Sequence, residues 1–356
     1  MMEHNSGLPL DGIRILDLSQ YVSGPYCTRL LSDYGASVLK VEPPEGDPLR
    51  RWPPFLPDAD PPESLFFLYL NHGKESITLD LESDEGRQRV LGLAKDADAV
   101  IESFRPGTLD RLGLGWEALH AANPRLVLTS ITAFGQSGPY RDYKAWDIIS
   151  DAMGGLAYLH GYPEREPLTH ANPQPAYRGG VMAAAATLAA LLNLDDEGEQ
   201  VDISIAECVT NTLRETLPQY AFTGGIRRRR GSVGGGQGQI TPCADGYVIP
   251  SGFGSADWPT FARFMEAPEL DAERFATGDG RQRHATELAT LLGERLKTWS
   301  MMHYFENAQL WGMGAGVVMN PRQVLQCEQL AERRFFQAIT SPGGSSVPVP
   351  RGPVPI

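Results

Sequence analysis

Short apolar segments alternate with longer amphipathic segments over the first 135 residues of the chain. The apolar segments are rich in isoleucine, valine and leucine, and this composition predicts β-strands. Between them, 84–97 and 109–122 carry apolar residues at helical spacing. Such alternation is typical of a doubly wound parallel sheet, which binds ligands at the carboxyl ends of its strands. The predicted strands are Ile13–Ser19, Ser37–Glu42, Ser76–Leu81, Ala97–Ser103 and Arg125–Ile131.

The middle of the chain predicts further helices and one clear break. Residues 145–193 have a mostly helical pattern around a Gly/Pro-rich connector at 154–180. A second helix-bearing segment covers 201–220. The segment 224–239 is rich in glycine, which indicates a loop and a domain boundary.

Beyond this loop, 245–250 predicts a strand, 256–335 predicts helices, and 341–356 is extended and punctuated by proline. We therefore expect an α/β protein with a doubly wound, parallel-sheet large domain and a smaller α+β domain. The expected parts are a Rossmann-like large domain at 1–195, connecting helices at 196–224, the small domain at 225–330 and a return segment to the large domain at 331–356.

Composition narrows the possible ligands. The 356 residues carry a formal net charge of −13, so the overall field disfavours nucleic acid, and an anionic ligand needs a local basic pocket. The chain has no run of 18 apolar residues and no signal-peptide pattern at its N-terminus, which predicts a cytoplasmic protein without a membrane partner. Four scattered cysteines and seven histidines without i, i+4 pairing predict neither a disulfide framework nor a metal site.

Several motifs, in chain order, resemble the family III CoA-transferases, the formyl-CoA and carnitine-CoA transferase group that shares its fold with α-methylacyl-CoA racemase. The matching stretches are L-D-G-I-R-I-L-D-L-S at 10–19, S-G-P-Y-C-T-R-L-L-S-D-Y-G-A-S-V-L-K-V-E-P-P-E-G-D at 23–47, G-K-E-S-I-T-L-D-L at 73–81, F-R-P-G-T-L-D-R-L-G-L at 104–114, N-P-R-L-V-L-T-S-I-T-A-F-G-Q-S-G-P at 123–139, Q-V-D-I-S at 200–204 and G-G-G-Q at 234–237.

The resemblance implies a fold and a mechanism. It implies a homodimer in which two chains are threaded as interlocked rings. It also implies that CoA passes between an acyl-CoA donor and a carboxylic acid acceptor, with no covalently bound cofactor. In this family an aspartate attacks the acyl-CoA, and an acyl-aspartyl anhydride and then an aspartyl-CoA thioester form by covalent catalysis.

The position of that aspartate is occupied by Ala176. The family sequence is roughly D-Y-R-G-G, whereas this chain has A-Y-R-G-G, and 167–194 contains no Asp or Glu at all. A methyl group cannot attack a thioester. Two explanations stay open: an engineered Asp→Ala change made to trap a bound acyl-CoA, which the otherwise intact motifs favour, or a natural member that has lost transfer chemistry.

A racemase mechanism fits less well. The racemase histidine and aspartate fall at Trp146 and Ala176, so both proton-transfer groups of that mechanism are missing. Other hypotheses are a natural, non-covalent acyl-CoA binder and an acyl-CoA isomerase or lyase that uses Asp147 as its base. A helix N-terminal position is the structural alternative for Asp147.

The resemblance also implies further site residues. Asp147 would lie near the reacting carbonyl. Lys144 and Lys74 would bind phosphate or pyrophosphate, and Phe104 and Arg111 would stack on adenine and bind phosphate. The other implied residues are Gln20, Val22 and Ser103, which depart from the family pattern, and Gly235, Gly236 and Gln237 of a glycine loop that closes over the thioester.

Overall fold

Six parallel strands form one sheet. In chain order they are β1 (Arg14–Asp17), β2 (Ser37–Glu42), β3 (Glu75–Thr78), β4 (Ala99–Glu102), β5 (Val127–Thr132) and β6 (Gln200–Ser204). Across the sheet the order is β3, β2, β1, β4, β5, β6, and all neighbouring strands pair in parallel. The predicted α/β fold with a parallel central sheet is confirmed.

The structure is a computed structural model that describes residues 7–57, 59–193, 197–229, 240–250 and 257–354. The chain divides into two compact units. The first unit contains the six-stranded sheet and comprises Met1–Leu159, Leu168–Arg227 and Arg333–Ile356, and the second comprises His160–Pro167 and Arg228–Glu332.

Helices connect the strands of the first unit. They are α1 (Ser23–Asp33), α2 (Leu65–Asn71), α3 (Asp84–Ala94), α4 (Thr108–Arg111), α5 (Trp116–Ala122), α6 (Asp147–Met153), α7 (Gln174–Leu192), α8 (Ile205–Thr210) and α9 (Thr216–Thr223). The pattern at 109–122 predicts one helix, but the structure has two, because Gly113 adopts a φ of +69° between them and breaks the helical path.

Both faces of the sheet are covered, because successive strand residues point to opposite faces. Leu16 and Val100 pack with residues of α3 and α5 on one face. Ile15 and Ile101 pack with residues of α1 and α7 on the other face. This is the doubly wound arrangement that the sequence predicts.

Helix α7 lies unusually close to α1. A Cβ atom added to Gly180 would lie 2.6 Å from the backbone oxygen of Ser23, and one added to Gly179 would lie 2.9 Å from Ile205. Farther along α7, the hydroxyl of Thr187 is 2.7 Å from that of Thr129 on β5, and both are buried. These contacts fix the position of α7 on the sheet, and with it the position of its N-terminus.

The strand β6 is not predicted by the sequence pattern, which indicates the start of a helical segment there. In the structure β6 lies beside β5 at the edge of the sheet, and Ser204 both ends the strand and caps α8 through its hydroxyl. Because β6 passes directly into α8, the strand and helix patterns of hydrophobic residues run together in the sequence.

The second unit contains a small antiparallel sheet and helices. The strands are β7 (Thr241–Pro242), β8 (Tyr247–Pro250) and β9 (Ala315–Val317). Its core is rich in aromatic side chains such as Trp258, Phe261 and Phe264. The helices are α10 (Trp258–Phe264), α11 (Gly278–Arg283), α12 (Ala285–Leu296), α13 (Met301–Leu310), α14 (Pro321–Leu325) and α15 (Glu328–Glu332).

The last part of the chain returns to the first unit as a hairpin of β10 (Phe336–Thr340) and β11 (Ser346–Pro350). The buried Arg29 of α1 donates a hydrogen bond to the backbone oxygen of Pro350. The backbone N–H of Val354 donates to the Tyr34 hydroxyl over 3.0 Å. No helix in the described ranges combines the length and apolarity needed to cross a membrane.

Candidate functional site

An open cleft of about 440 Å³ lies at the carboxyl ends of the central strands. The sequence-predicted residues Gln20, Phe104 and Arg111 all line it. Gln20 follows β1, and Phe104 follows β4, so the topology brings residues 84 positions apart to the same edge of the sheet. This edge is where open parallel sheets bind their ligands.

Ser103 and Gln20 fix the wall of the cleft. The Ser103 hydroxyl accepts a hydrogen bond from the Gln20 backbone N–H over 3.0 Å and donates one to the Gln20 backbone oxygen over 3.1 Å. Beneath them the buried Glu102 accepts from the Phe104 N–H over 2.7 Å, and burial raises the pKa of the Glu102 carboxyl to about 7. The predicted Ser103 thus joins the ends of β1 and β4.

Arg111 is the basic group of this cleft, and it already has a partner. Its Nη1 and Nη2 atoms lie 3.3 and 3.2 Å from the two carboxylate oxygens of Glu82, and both side chains are well exposed. A guanidinium in this fork geometry can exchange a carboxylate for a phosphate of the same shape.

Lys74, which the sequence predicts to bind phosphate, is buried and hydrogen-bonded within the protein. Its side chain is only 1% exposed, and its ammonium donates to Asp17 over 3.1 Å, to the Pro25 backbone oxygen over 2.9 Å and to Asn71 over 2.9 Å. Burial lowers the pKa of Lys74 to about 8, although the Asp17 carboxylate opposes that change. The three hydrogens of the Lys74 ammonium thus have three acceptors within the protein.

Lys74 is part of a buried charge network at the ends of β1 and β2 that the sequence does not reveal. Burial acts to raise the pKa of Asp17, but the ammonium groups of Lys40 and Lys74 outweigh burial and hold it at about 2. Lys40 also pairs with Asp47 at 2.9 Å. The only available signal is the presence of charged residues inside predicted strands, and such buried charges need partners.

Ala176 occupies the third position of α7 and belongs to an apolar cluster. The predicted site residue Val22 is buried in the same cluster, and Tyr177 packs at its edge with its ring 4.7 Å from that of Tyr26. The structure therefore brings Val22 and Ala176 together. The Ala176 methyl group contacts side chains rather than standing in open solvent.

Asp147 lies directly at the N-terminus of α7. Its Oδ1 atom accepts a hydrogen bond from the Ala176 backbone N–H over 2.8 Å. Helix α7 has no side-chain cap of its own and no acidic residue in its first turn, so Asp147 supplies the negative charge that a helix N-terminus favours. The two positions that the family resemblance relates to chemistry, 147 and 176, are thus in direct contact.

The environment of Asp147 shifts its titration towards neutrality. The pKa of the carboxyl is raised to about 6, mainly by burial and to a smaller extent by the Asp151 carboxylate. The hydrogen bond from Ala176 and the positive charges of Arg178 and His170 lower it. A carboxyl that titrates near neutral pH can serve as an acid or a base.

Other predicted residues lie elsewhere. Lys144 is exposed in the loop before α6, three residues from Asp147, and Trp146 beside it is 62% exposed. The predicted glycine-loop residues Gly235, Gly236 and Gln237 lie outside the described residues. Within the described ranges, no group of three or more His, Cys, Asp or Glu side chains is placed to hold a metal ion.

Known proteins resemble the chain over nearly its full length. A family model described as CoA-transferase family III matches residues 10–356. Succinyl-CoA–D-citramalate CoA-transferase of Chloroflexus aurantiacus is 36% identical over 348 residues, covering 94% of this chain and 84% of that protein. Formyl-CoA:oxalate CoA-transferase of Streptomyces avermitilis is 31% identical over 357 residues, covering 94% and 86%.

A solved structure of a CAIB/BAIF family protein has the same fold as this chain. The crystal structure of a CAIB/BAIF family protein from Brucella suis superposes with a TM-score of 0.89 at 32% identity, covering 98% of this chain and 93% of that chain. Proteins of this family use CoA thioesters as substrates. The sequence resemblance is confirmed, and the chain belongs to CoA-transferase family III.

Proposed function

We propose that this protein binds an acyl-CoA and a carboxylic acid at the carboxyl edge of its sheet, in a site built to transfer CoA from one to the other. The cleft that contains Gln20, Phe104 and Arg111 supports a CoA-binding role. The relatives are named for the transfer of CoA between CoA esters and acids, and this supports the same reaction class here.

The contact between Asp147 and residue 176 carries this proposal. A carboxylate at residue 176 would stand at the N-terminus of a 19-residue helix, where backbone N–H groups and the helix dipole favour negative charge. Its oxygen would attack the thioester carbonyl carbon, forming a C–O bond while the C–S bond breaks and CoA leaves as thiolate. The thiolate would then attack the aspartyl carbonyl and release the donor acid as a carboxylate.

The same chemistry in reverse would load the acceptor. The acceptor carboxylate would attack the aspartyl-CoA thioester, release CoA thiolate and leave an anhydride between the acceptor and the aspartate. The thiolate would then attack the acceptor carbonyl of this anhydride, forming the acceptor CoA ester and freeing the aspartate. Each step exchanges one oxygen nucleophile with one thiolate, so no further reactant is needed. With Ala176 the first bond cannot form, and the chain as it stands would bind the CoA ester without forming an adduct.

A second candidate is a natural, non-covalent CoA-ester binder. One observation favours it: the Ala176 methyl group packs with apolar side chains in the cluster around Val22 and Leu70. The position therefore suits an apolar residue as it stands.

Reversion of residue 176 separates the two candidates. We expect Ala176→Asp to form an acyl-enzyme or CoA-enzyme adduct with an acyl-CoA and to gain transfer activity by about 10³-fold or more. Hydroxylamine or borohydride trapping followed by mass spectrometry would place the adduct on residue 176. Ala176→Asn, which has a similar shape but no nucleophilic carboxylate, is the matched control. An Ala176→Asp variant that binds CoA and forms no adduct would favour the binder.

We also propose that the working form is the interlocked homodimer that the family resemblance implies. Unthreading such rings would require unfolding, so dilution should not give folded monomer. Light scattering across a dilution series, with circular dichroism on the same samples, measures this. A monomeric mass with native spectra would reject the interlocked form.

A further inference from the structure

A second cleft, of about 430 Å³, lies between the end of α1 and the two ends of the C-terminal hairpin. All of its lining residues belong to the first unit of the chain. Sites for small molecules have volumes of about 300–1,000 Å³, so this cleft is large enough for such a ligand. The polar lining residues are Asp33, Tyr34, Arg333, Arg334, Gln337 and Arg351.

This second cleft lies at the opposite edge of the sheet from the CoA cleft. Helix α1 begins after β1, at the carboxyl ends of the strands, and ends just before β2. The Tyr34 backbone oxygen accepts a hydrogen bond from the N–H of Leu10, which precedes β1, over 2.9 Å. Tyr34 therefore lies at the amino ends of β1 and β2. A ligand bound beside it would leave the cleft of Arg111 empty.

Three arginines give the second cleft its charge. Arg333 and Arg334 are exposed, and Arg351 is half-buried. In the part of the chain that the structure describes, no carboxylate forms a salt bridge with any of the three. The whole chain carries a net charge of −13, so these arginines locally reverse the sign of its field. Three like charges at one cleft repel each other, and a bound anion would relieve that repulsion.

The acidic group of the cleft is already engaged. Among the described lining residues Asp33 is the one carboxylate. Its Oδ2 lies 3.5 Å from Nε of the buried Arg29, which balances its charge. The neighbouring Tyr34 hydroxyl accepts a hydrogen bond from the Val354 backbone N–H over 3.0 Å. The Tyr34 oxygen thus serves as an acceptor there, and its own hydrogen can be donated to a ligand.

Arg351 holds the backbone of the other two arginines in place. Its Nη2 donates to the Arg333 backbone oxygen over 3.1 Å, and its Nε donates to that of Arg334 over 3.2 Å. Its Nη1 donates to the backbone oxygen of Gly352. Arg334 has a φ of +49°, which a non-glycine residue adopts only where its surroundings hold it. A strained backbone is therefore held at the point where two adjacent arginines line the cleft.

We propose that this cleft binds a small anion with two or more oxyanion groups, either phosphates or carboxylates. The guanidinium forks of Arg333 and Arg334 match both groups in a bidentate geometry. A guanidinium has five N–H donors, so Arg351 keeps two for the ligand beyond the three that it donates to the backbone. The site shares no lining residue with the CoA cleft, and the inference does not depend on the proposed function.

Calorimetric titration with pyrophosphate at low salt tests the site. It is carried out on Arg111→Gln, which lacks the basic group of the CoA cleft. We expect one pyrophosphate per chain, and about fivefold or greater weakening when Arg333→Gln or Arg334→Gln is added. Arg125→Gln, which changes an exposed arginine of the same unit outside the cleft, is the matched control and should change the affinity by less than about twofold. Citrate titrated in the same way shows whether phosphate or carboxylate groups bind more tightly.

Thermal unfolding gives a second readout. An anion that binds the folded chain raises its Tm, so pyrophosphate should stabilise Arg111→Gln and Arg125→Gln but not a chain that carries both Arg333→Gln and Arg334→Gln. Arg351→Lys keeps the charge but loses the fork that holds the two backbone oxygens, and it should also bind more weakly. Three results would overturn the proposal: no binding of either anion at about 10 mM, equal affinity in Arg333→Gln, Arg334→Gln and the control, or binding that disappears with Arg111→Gln alone.

Discussion

Arg111 and Glu82 face each other at the cleft, with two N–O distances of 3.2 and 3.3 Å between guanidinium and carboxylate. A phosphate of CoA that binds Arg111 has to displace Glu82. We therefore expect Glu82→Gln to tighten CoA binding by about threefold, because an exposed ion pair contributes less than about 1 kcal/mol. Arg111→Gln should weaken binding by about tenfold, since a bidentate phosphate contact is lost.

Isothermal titration calorimetry at two salt concentrations measures both changes. Glu85→Gln, which removes an equal charge from the first turn of α3, is the control and should have less effect than Glu82→Gln. Equal CoA affinity in Arg111→Gln and the unchanged protein would show that CoA does not use this cleft in the way proposed.

Lys74 should matter for stability. Lys74→Met leaves Asp17 buried with fewer charge partners, and breaking a buried ion pair costs about 3–5 kcal/mol. Urea unfolding followed by circular dichroism should show this loss. Lys95→Met, at the exposed C-terminal end of α3, should change the free energy of unfolding by less than about 0.5 kcal/mol. A stable Lys74→Met protein with weakened CoA binding would instead support phosphate binding by Lys74.

Asp147 should make stability depend on pH. Its pKa is raised from 3.8 to about 6 in the folded protein, so its favourable contribution is present below about pH 4 and is lost as pH rises towards 6. Because the side chain is only half-buried, we expect a loss of about 1 kcal/mol rather than the full value of the shift. Asp147→Asn keeps an acceptor for the Ala176 N–H but cannot ionise.

Thermal or urea unfolding at pH 4 and pH 7.5 would test this expectation. The free energy of unfolding of Asp147→Asn, relative to the unchanged protein, should be more favourable at pH 7.5 than at pH 4. Asp142→Asn, in the preceding loop, is the control. The same relative stability at both pH values would mean that Asp147 ionises as freely in the folded chain as in the unfolded one.

Two glycines offer a matched pair of helix substitutions. Gly180→Ala puts a methyl group 2.6 Å from the Ser23 backbone oxygen, so we expect a loss of about 1–3 kcal/mol in the free energy of unfolding. Gly92→Ala on α3 meets no atom within 4 Å and should stabilise the protein by about 0.5–1 kcal/mol. Equal melting temperatures for the two variants would contradict the close approach of α7 to α1.

The sequence predicts most of the sheet because its strands are short, apolar and regularly spaced. The predicted strand Ser37–Glu42 matches β2 at both ends. At the edge, β6 is missed because its residues pass directly into α8. The sheet topology brings the cleft residues Gln20, Phe104 and Arg111 together. Their segments follow β1 and β4, and the carboxyl ends of neighbouring parallel strands lie at the same edge of the sheet.

The other features of the candidate site depend on how deeply side chains are buried and on contacts between residues that are distant in the chain. A sequence pattern shows neither. Lys74 precedes the predicted strand Ser76–Leu81, and nothing in its motif shows that the ammonium is buried against Asp17. Asp151 and His170 are 19 positions apart in the chain, yet Oδ2 of Asp151 and Nδ1 of His170 lie 3.5 Å apart. The periodicity of hydrophobic residues along the chain predicts helices and strands, but it does not show which distant side chains come into contact.

The close packing of α7 has an evolutionary consequence. Gly180 and Gly179 fix the helix from its second turn onward, and Asp147 holds its first turn through a backbone atom. The backbone at residue 176 is therefore held without any help from the side chain of that residue. Aspartate and alanine codons can differ by a single base, so a lineage could lose the nucleophile and regain it in one mutational step, with the scaffold retained throughout.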